Sequence, residues 1–90
     1  MSVIARSRRL VENGQFYLTE HAKIEADDEG FNIYDIENSV MTGRTKRSWP
    51  KKGTFEIVGK SWDGRKLGLI VRETKGSKLR VITVYEDRPG

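Results

Sequence analysis

The sequence predicts an α+β fold in which two to three N-terminal helices pack on one face of a four-stranded antiparallel sheet. The main observation is the run 79–85, which is rich in β-branched and aromatic residues and contains neither glycine nor proline. Two similar runs, 54–62 and 67–74, precede it and are separated by short turns, which predicts a meander. The upstream half of the chain carries the cap residues and apolar spacing of helices.

The 90 residues predict a single domain with a core of modest size. We divide it into an extra N-terminal helix (1–14), a helical layer (15–43), the sheet (44–86) and a tail (87–90). The chain contains no cysteine, and no apolar run approaches the roughly 20 residues of a membrane span. These features predict a soluble, cytoplasmic protein without disulfides or a membrane partner.

Charge is unevenly distributed along the chain. The net charge is +2 over residues 1–14, −6 over residues 15–43 and +8 over residues 44–90. The predicted sheet is therefore the basic part, and a basic face raises the local concentration of anionic partners. A solvated surface that keeps a small protein soluble is an equally good explanation of the same pattern.

Local signals delimit the three predicted helices. The residues that can cap an N-terminus are Ser2, Thr19 and Asn32. The glycines that end the helices are Gly14, Gly30 and Gly43. The predicted buried stripe of the third helix consists of Ile33, Ile36, Val40 and Met41. The second helix carries several carboxylates near its C-terminus, where the helix dipole disfavours anions, so we expect groups outside the helix to compensate for them.

Two turn signals set a register for the predicted meander. Asp63-Gly64 predicts a two-residue hairpin, and Gly76-Ser77 predicts a second one. The predicted pairs are Val58 with Leu69, Leu69 with Val84, Ile57 with Ile70, and Ile70 with Thr83. The face expected under the helices carries Val58, Leu67, Leu69, Val71, Ile82 and Val84. The opposite face is expected to carry Phe55, Ile57, Ile70, Arg72, Val81, Thr83 and Tyr85.

The segment 44–53 is the most basic of the chain and predicts an edge strand that stops at Pro50. Lysine and arginine commonly protect an edge strand from aggregation, which is one interpretation of this charge. The other interpretation is a nucleic-acid surface, in which Trp49 stacks on a base while neighbouring cations contact phosphate. The predicted nucleic-acid-binding residues are Arg44, Lys46, Arg47, Trp49 and Arg65.

Few residues are suited to chemistry. His21, the only histidine, is predicted in the first turn of the second helix, where it can exchange a proton. Arg72 is expected in mid-strand, beside Thr83 and Tyr85 on the uncovered face. A surface histidine and an ordinary exposed arginine are the corresponding interpretations without a function. The candidate catalytic residues are His21, Arg72, Thr83 and Tyr85.

The sequence carries no cofactor motif. It lacks a glycine-rich phosphate loop, a nucleophile elbow and a dinucleotide-binding fingerprint, and Glu25 is the only candidate metal-ligand partner of His21. We therefore expect no cofactor and no metal. One histidine, several arginines and a tyrosine suit metal-independent RNA cleavage, in which the ribose 2′-hydroxyl is deprotonated and cations stabilise the phosphorane.

Four short motifs lie in order along residues 15–86. They are Leu18-Thr19-Glu20-His21-Ala22, then Gly30-Phe31 with Tyr34-Asp35-Ile36-Glu37, then Trp62-Asp63-Gly64-Arg65, and last Val81-Ile82-Thr83-Val84-Tyr85. Together they resemble an uncharacterised bacterial and phage family that is commonly grouped with the RelE, ParE and BrnT toxins. The resemblance implies a RelE-like α+β toxin fold, with a ribonuclease site on or beside the uncovered sheet face.

Within this resemblance, His21 matches the His-Ala motif of the family, and Thr83 and Tyr85 match its terminal strand. The chain departs from its relatives in the His-Ala helix, where they often carry arginine and this sequence has Glu25 and Glu29.

The leading hypothesis is a toxin-like, metal-independent endoribonuclease domain of a toxin–antitoxin type system. In it His21 acts as general base or acid, Arg72 and Arg47 stabilise phosphate, and Tyr85 acts as an acid or orienting group. The expected partners are RNA and an acidic antitoxin-like protein. The alternative, from another class, is a non-catalytic module that binds nucleic acid or an acidic protein through the basic sheet face. Both a monomer and a homodimer remain open, the latter formed through Phe55, Ile57, Ile70 and Val81.

Overall fold

A computed structural model describes residues 2–88, which form three helices and five strands. The helices are α1 (Val3–Glu12), α2 (Glu20–Glu29) and α3 (Ile33–Thr42). The strands are β1 (Phe16–Leu18), β2 (Arg44–Trp49), β3 (Thr54–Lys60), β4 (Lys66–Glu73) and β5 (Leu79–Glu86). Residues 89–90 of the predicted tail lie outside the described residues. No helix within residues 2–88 is long and apolar enough to cross a membrane.

The predicted helix caps are confirmed. The side chains of Ser2, Thr19 and Asn32 each accept a hydrogen bond from a backbone N–H of the first turn. Asn32 and Asp35 form a reciprocal capping box. Gly30 ends α2 in the left-handed conformation, at φ 74°. These contacts depend on residues only a few positions apart, which is why the sequence shows them.

The sheet differs from the predicted one in strand number and direction. It has five strands in the order β1-β5-β4-β3-β2, and β1 pairs with β5 in parallel. The expectation of a four-stranded, purely antiparallel sheet is therefore wrong. The added strand is the short extended segment before α2, and it pairs Phe16 with Leu79 and Leu18 with Val81. The strand β2 forms the opposite edge, as expected for the basic segment.

The predicted register between β3 and β4 is wrong by one residue. Ile57 lies opposite Leu69, and Val58 lies opposite Gly68. The cause is the connection between the strands, which spans residues 61–65 instead of the two residues expected. Ser61 donates its backbone N–H to the Arg65 carbonyl oxygen at 2.9 Å, and its hydroxyl bonds Asp63. These side-chain contacts close a wider turn and move β3 by one position.

The predicted pairs between β4 and β5 are confirmed, since Leu69 lies opposite Val84 and Ile70 opposite Thr83. A register shift follows, and Val71 pairs with Val81. Val81 and Val84 thus both lie on the side of the helices, where each is almost fully buried. Ile82 does not lie in the core, so its predicted position is wrong, as is that of Val81.

The three helices cover one face of the sheet, which we call the covered face. Its core contains Ile57, Leu67, Leu69, Val71, Leu79, Val81 and Val84 from the strands and Ala22, Ile36 and Val40 from the helices. Of the predicted α3 stripe, Ile36 and Val40 are buried, but Ile33 and Met41 are 43% and 39% exposed. Phe55 also packs against this core. Three of the four apolar residues expected to form a homodimer contact therefore lie on the covered face.

Groups outside α2 compensate for its C-terminal carboxylates, as expected. Arg65 donates to the carbonyl oxygens of Glu29 at 2.8 Å and of Gly30 at 3.3 Å. Arg88 lies 3.0 Å from the Glu29 carboxylate. Glu25 accepts a hydrogen bond from the Val84 backbone N–H at 3.0 Å. The helix is therefore fixed to the edge of β5 by its own acidic side chains.

Candidate functional site

The face of the sheet that no helix covers, the open face, follows directly from the observed register. Because side chains alternate along a strand, neighbours of buried covered-face residues point to this side. The open face carries Arg44, Arg47, Trp49, Thr54, Glu56, Val58, Lys60, Lys66, Gly68, Ile70, Arg72, Arg80, Thr83 and Tyr85. Its charged residues are one acid and six cations, so this face is strongly basic.

A polar cluster lies at the middle of the open face. The Tyr85 phenol donates a hydrogen bond to Oε2 of Glu56. The other carboxylate oxygen of Glu56 lies 3.6 Å from Nε of Arg47. We call these three residues, from β5, β3 and β2, the open-face cluster. It spans four strands of the sheet, because β4 lies between Tyr85 and Glu56.

Gly68 makes room for this cluster. Gly68 is on β4, between Tyr85 of β5 on one side and Val58 of β3 on the other. A Cβ atom on Gly68 would lie 2.1 Å from the Tyr85 ring, so the ring occupies the space of the missing side chain. A glycine inside a strand is a sign of such a close approach. Gly68 therefore lets the Tyr85 phenol reach across β4 to Glu56.

Burial and the hydrogen bond to Glu56 raise the pKa of Tyr85 well above its ordinary value of 10.0. The nearby negative charge of Asp87 acts in the same direction, and the Arg47 guanidinium acts weakly against them. The phenol is therefore neutral at physiological pH and remains a proton donor. Glu56 is only 8% exposed, so the acceptor of this bond is largely shielded from water.

A second ion pair crosses the same region. Nζ of Lys46 on β2 lies 3.9 Å from Oδ2 of Asp87, which follows β5. Lys46 is the bulged residue of β2, since the register with β3 shifts between Thr45 and Arg47. Two cations of the edge strand β2 thus form ion pairs across the open face: Arg47 with Glu56 of β3, and Lys46 with Asp87 after β5.

The predicted catalytic residues on the open face are not all together. Thr83 lies opposite Ile70, which is two residues along the strands from the pair Gly68 and Tyr85. Arg72 lies opposite Thr54 and Arg80, four residues along β4 from Gly68. At about 3.3 Å per residue this separation is about 13 Å. Arg72 therefore lies at one end of the open face. It is two residues along β4 from Ile70, the partner of Glu56, and forms no hydrogen bond or ion pair with the cluster.

His21 does not join the cluster either. It lies on α2, and its Nε2 is 3.3 Å from Oε2 of Glu25. The same Glu25 holds the Val84 N–H at the edge of β5. The His21 side chain is 71% exposed. The histidine and Arg72 thus belong to different parts of the molecule, a helix on the covered side and the open face.

The remaining predicted nucleic-acid contacts divide into two groups. Arg44, Arg47 and Trp49 lie on the open face of β2, as a shared surface requires. Arg65 instead binds its own chain: Nε lies 2.9 Å from Oδ2 of Asp63, and the guanidinium lies 4.2 Å from the centroid of the Phe31 ring. Its contacts join the 61–65 turn to the end of α2.

Sequence reasoning did not single out Glu56, Gly68 or Asp87 for the site. Two signals were present: an acid in the middle of the apolar run 54–62, and a glycine between Leu67 and Leu69. A buried acid in a strand requires a partner, and a strand glycine indicates close approach. The expected turn length placed Glu56 on the covered side, which concealed its contact with Tyr85. Within residues 2–88 no group of acids and histidines has the arrangement of a metal site.

Comparison with known proteins gives one match. A family model described as "Domain of unknown function (DUF4258)" matches residues 18–86, which is more than half of the chain. The match begins at the end of β1 and ends at the end of β5, so it includes the whole open-face cluster. No curated protein and no solved structure matches the chain.

Proposed function

The chain belongs to the DUF4258 family, whose description names no activity, and we propose from its own geometry that it is a toxin-like, metal-independent endoribonuclease. Single-stranded RNA binds on the open face, and the open-face cluster cleaves it. The observation that supports this proposal is the Glu56 carboxylate held between a neutral phenol and a guanidinium on a basic sheet face. A proton acceptor, a proton donor and a cation are the three groups that RNA cleavage needs.

The proposed reaction is an attack of the ribose 2′-oxygen on the adjacent phosphorus. The bond between phosphorus and the 5′-oxygen breaks, and a 2′,3′-cyclic phosphate forms. Glu56 accepts the proton of the 2′-hydroxyl, and Tyr85 donates its phenolic proton to the leaving 5′-oxygen. Arg47 stabilises the negative charge that develops on the phosphorane oxygens.

The hydrogen bond between Tyr85 and Glu56 also closes the catalytic cycle. After cleavage the carboxyl group is protonated and the phenol is ionised. Transfer of one proton along the existing hydrogen bond restores both groups. The raised pKa of Tyr85 favours this return, because the phenolate is the less stable form of this residue in the folded protein.

In this proposal His21 is not a catalytic residue, which changes the hypothesis based on the sequence. Its partner Glu25 connects it to the edge of β5, so it supports the position of the strand that carries Tyr85. The motifs resemble an uncharacterised family that is commonly grouped with the RelE, ParE and BrnT toxins, which agrees with a toxin-like ribonuclease. An acidic antitoxin-like protein that covers the basic face would inhibit it. Fold similarity alone is weak support for an activity, so the proposal rests on the cluster.

The test is incubation of purified protein with single-stranded RNA in EDTA, with detection of the 2′,3′-cyclic phosphate. We expect Glu56→Gln and Tyr85→Phe to lower the cleavage rate by about 10²- to 10⁴-fold each, because each removes a proton-transfer group. Tyr34→Phe is the matched control, since Tyr34 lies on α3 and is 63% exposed. His21→Ala is expected to retain most of the activity.

Two results would contradict the proposal. The first is cleavage that survives both cluster substitutions but is lost in His21→Ala. The second is no cleavage by the wild-type protein, free of any bound inhibitor, on RNA that it demonstrably binds.

The second result would favour a non-catalytic module that binds nucleic acid through the same face. One observation supports this candidate: the Glu56 carboxylate is already occupied by Tyr85 and Arg47, as in a purely structural network. The module predicts binding that weakens linearly on a plot of log affinity against log salt concentration, without turnover.

A further inference from the structure

Two arginines face each other on the open face at the end remote from the turn 61–65. Arg72 of β4 and Arg80 of β5 are direct register partners, and both are exposed. Like charges that lie directly opposite each other on neighbouring strands destabilise a sheet. Stability of the fold therefore does not explain this pair.

No acid within the described part of the chain relieves the repulsion. Within residues 2–88 neither guanidinium forms an ion pair or a side-chain hydrogen bond. The adjacent carboxylate, Glu73, points to the other side of the strand and binds Arg6 on α1. By contrast, Arg47 and Arg65 each have an acidic partner in the sheet or its turns. Arg72 and Arg80 are thus two adjacent cations that lack a counter-charge.

The surroundings of the pair add positive charge and an aromatic ring. The β2–β3 turn and the β4–β5 turn both lie at this end of the sheet, since Thr54 pairs with Arg72 and Glu73 with Leu79. These turns contribute Lys51, Lys52, Lys75 and Lys78. Nε of Arg72 lies 3.9 Å from the position of a Cβ on Gly53, beside the first of the turns. Trp49 pairs with Thr54, and Thr54 pairs with Arg72. Trp49 of β2 therefore lies in the same row across the open face as the two arginines.

We propose that Arg72 and Arg80 together bind a backbone phosphate of single-stranded RNA, at a site separate from the open-face cluster. Two guanidinium groups side by side offer parallel N–H donors that fit phosphate oxygens. A bound phosphate also removes the repulsion between the two arginines. The ring of Trp49 is placed to stack on a neighbouring base, which favours a single strand over a duplex.

This inference deepens the proposed function and rests on it, because it assigns the second site to the same substrate. Arg72 lies four residues, about 13 Å, along β4 from Gly68 and two residues, about 7 Å, from Ile70, the partner of Glu56. We therefore assign to the pair the phosphate next to the one that is cleaved. The site therefore positions a longer strand across the open face, and a substrate with only one phosphate cannot occupy both sites.

The binding test uses a fluorescently labelled 2′-O-methyl oligonucleotide, which cannot be cleaved because its 2′-oxygen is blocked. We expect the double variant Arg72→Gln/Arg80→Gln to weaken binding at least tenfold. The slope of log affinity against log salt concentration should fall by about 0.7, the value for one phosphate on a single strand. The matched control is Lys60→Gln/Lys66→Gln, which removes two opposed cations from the other end of the open face.

Equal losses of affinity in the two double variants would overturn the proposal, because the face would then act only through its net charge. Tight binding of a poly-glutamate peptide, abolished by Arg72→Gln/Arg80→Gln, would also overturn it in favour of an acidic protein partner. Both results are independent of cleavage, so they do not depend on whether the protein is a ribonuclease.

Cleavage kinetics provide the second test. With a dinucleoside monophosphate, which has a single phosphate, Arg72→Gln/Arg80→Gln should lower kcat/KM much less than it does with an octanucleotide. With an octanucleotide, the same variant should show a raised KM and nearly unchanged kcat. A loss of kcat on both substrates would place the arginines in the reaction itself and would contradict a separate binding site.

Discussion

The two faces of the sheet contain the same strands but differ in how their residues are used. On the covered face Ile57, Leu69 and Val84 are almost completely buried and pack against the helices. On the open face the neighbouring residues Glu56 and Tyr85 form a polar contact across β4. The covered face is explained by burial of apolar area alone. The open face carries charge that the fold does not need, which is why we assign the function to it.

Two glycines show the same contrast at single positions. Gly59 of β3 lies on the covered face, where an added Cβ would lie 1.9 Å from the Ser39 backbone oxygen of α3. Gly68 of β4 lies on the open face, where the three atoms nearest to the added one all belong to the Tyr85 side chain. A backbone in a packed helix cannot move aside, whereas a side chain on an open surface can. The first glycine allows β3 to pack against α3, and the second leaves the space that the Tyr85 ring occupies.

The largest expected effect follows from this pair. Gly59→Ala should lower the free energy of unfolding by about 1–3 kcal/mol or more, because it overpacks the interface between β3 and α3. Gly68→Ala should lower it less than Gly59→Ala does, since the lost hydrogen bond of Tyr85 is partly offset by the lower backbone entropy of alanine and Glu56 keeps Arg47 as a partner. RNA cleavage by Gly68→Ala should nevertheless fall strongly, because the phenol leaves Glu56. Urea denaturation and the cleavage assay measure the two quantities.

This comparison would fail if Gly68→Ala unfolded the protein as strongly as Gly59→Ala. The open face would then be part of the structural core. It would equally fail if Gly68→Ala cleaved RNA at the wild-type rate, since Tyr85 could not then be a proton donor at its present position.

A smaller effect is expected from the ionisation of Tyr85. Its pKa is raised in the folded state above the ordinary value of 10.0, so the folded protein holds this proton more tightly than the unfolded chain. The resulting stabilisation is complete below pH 10.0 and is lost as the pH rises through the raised value. The stability difference between wild type and Tyr85→Phe should therefore be constant below pH 10.0 and decrease above it.

Denaturation of both proteins over this pH range, together with the phenolate absorbance, measures the effect. A difference that stays constant through the whole range would show that burial and the bond to Glu56 do not raise the pKa of Tyr85.

The helices could be predicted because their signals are local. Thr19, Asn32 and Gly30 act on backbone groups within a few residues, and the sequence shows them directly. The register of β3 could not be predicted in the same way. It depends on the hydrogen bonds of Ser61 and Asp63 and on Asp35 of α3, which accepts the Trp62 N–H at 2.9 Å. An acid 27 positions upstream thus helps to fix the turn.

The candidate site was predicted only in part, because its contacts also depend on the register of the strands. Tyr85 was expected on the uncovered face and Arg47 in the basic edge strand, and both lie in the cluster. Glu56, their common partner, was missed because the one-residue error in register exchanged the two faces of β3. His21 and Arg72 attracted attention as residue types, but only the fold separates them. Charge in a sequence indicates a face, whereas the partners of each charge are determined by register.

The most direct test of the central claim is an NMR titration of the ¹⁵N-labelled protein with a 2′-O-methyl single-stranded oligonucleotide. We expect the largest amide shifts on the open-face rows of Glu56, Gly68 and Arg80, and little change in α2 around His21. Shifts concentrated on α1 and α2, with β3 to β5 unchanged, would contradict the assignment of function to the open face.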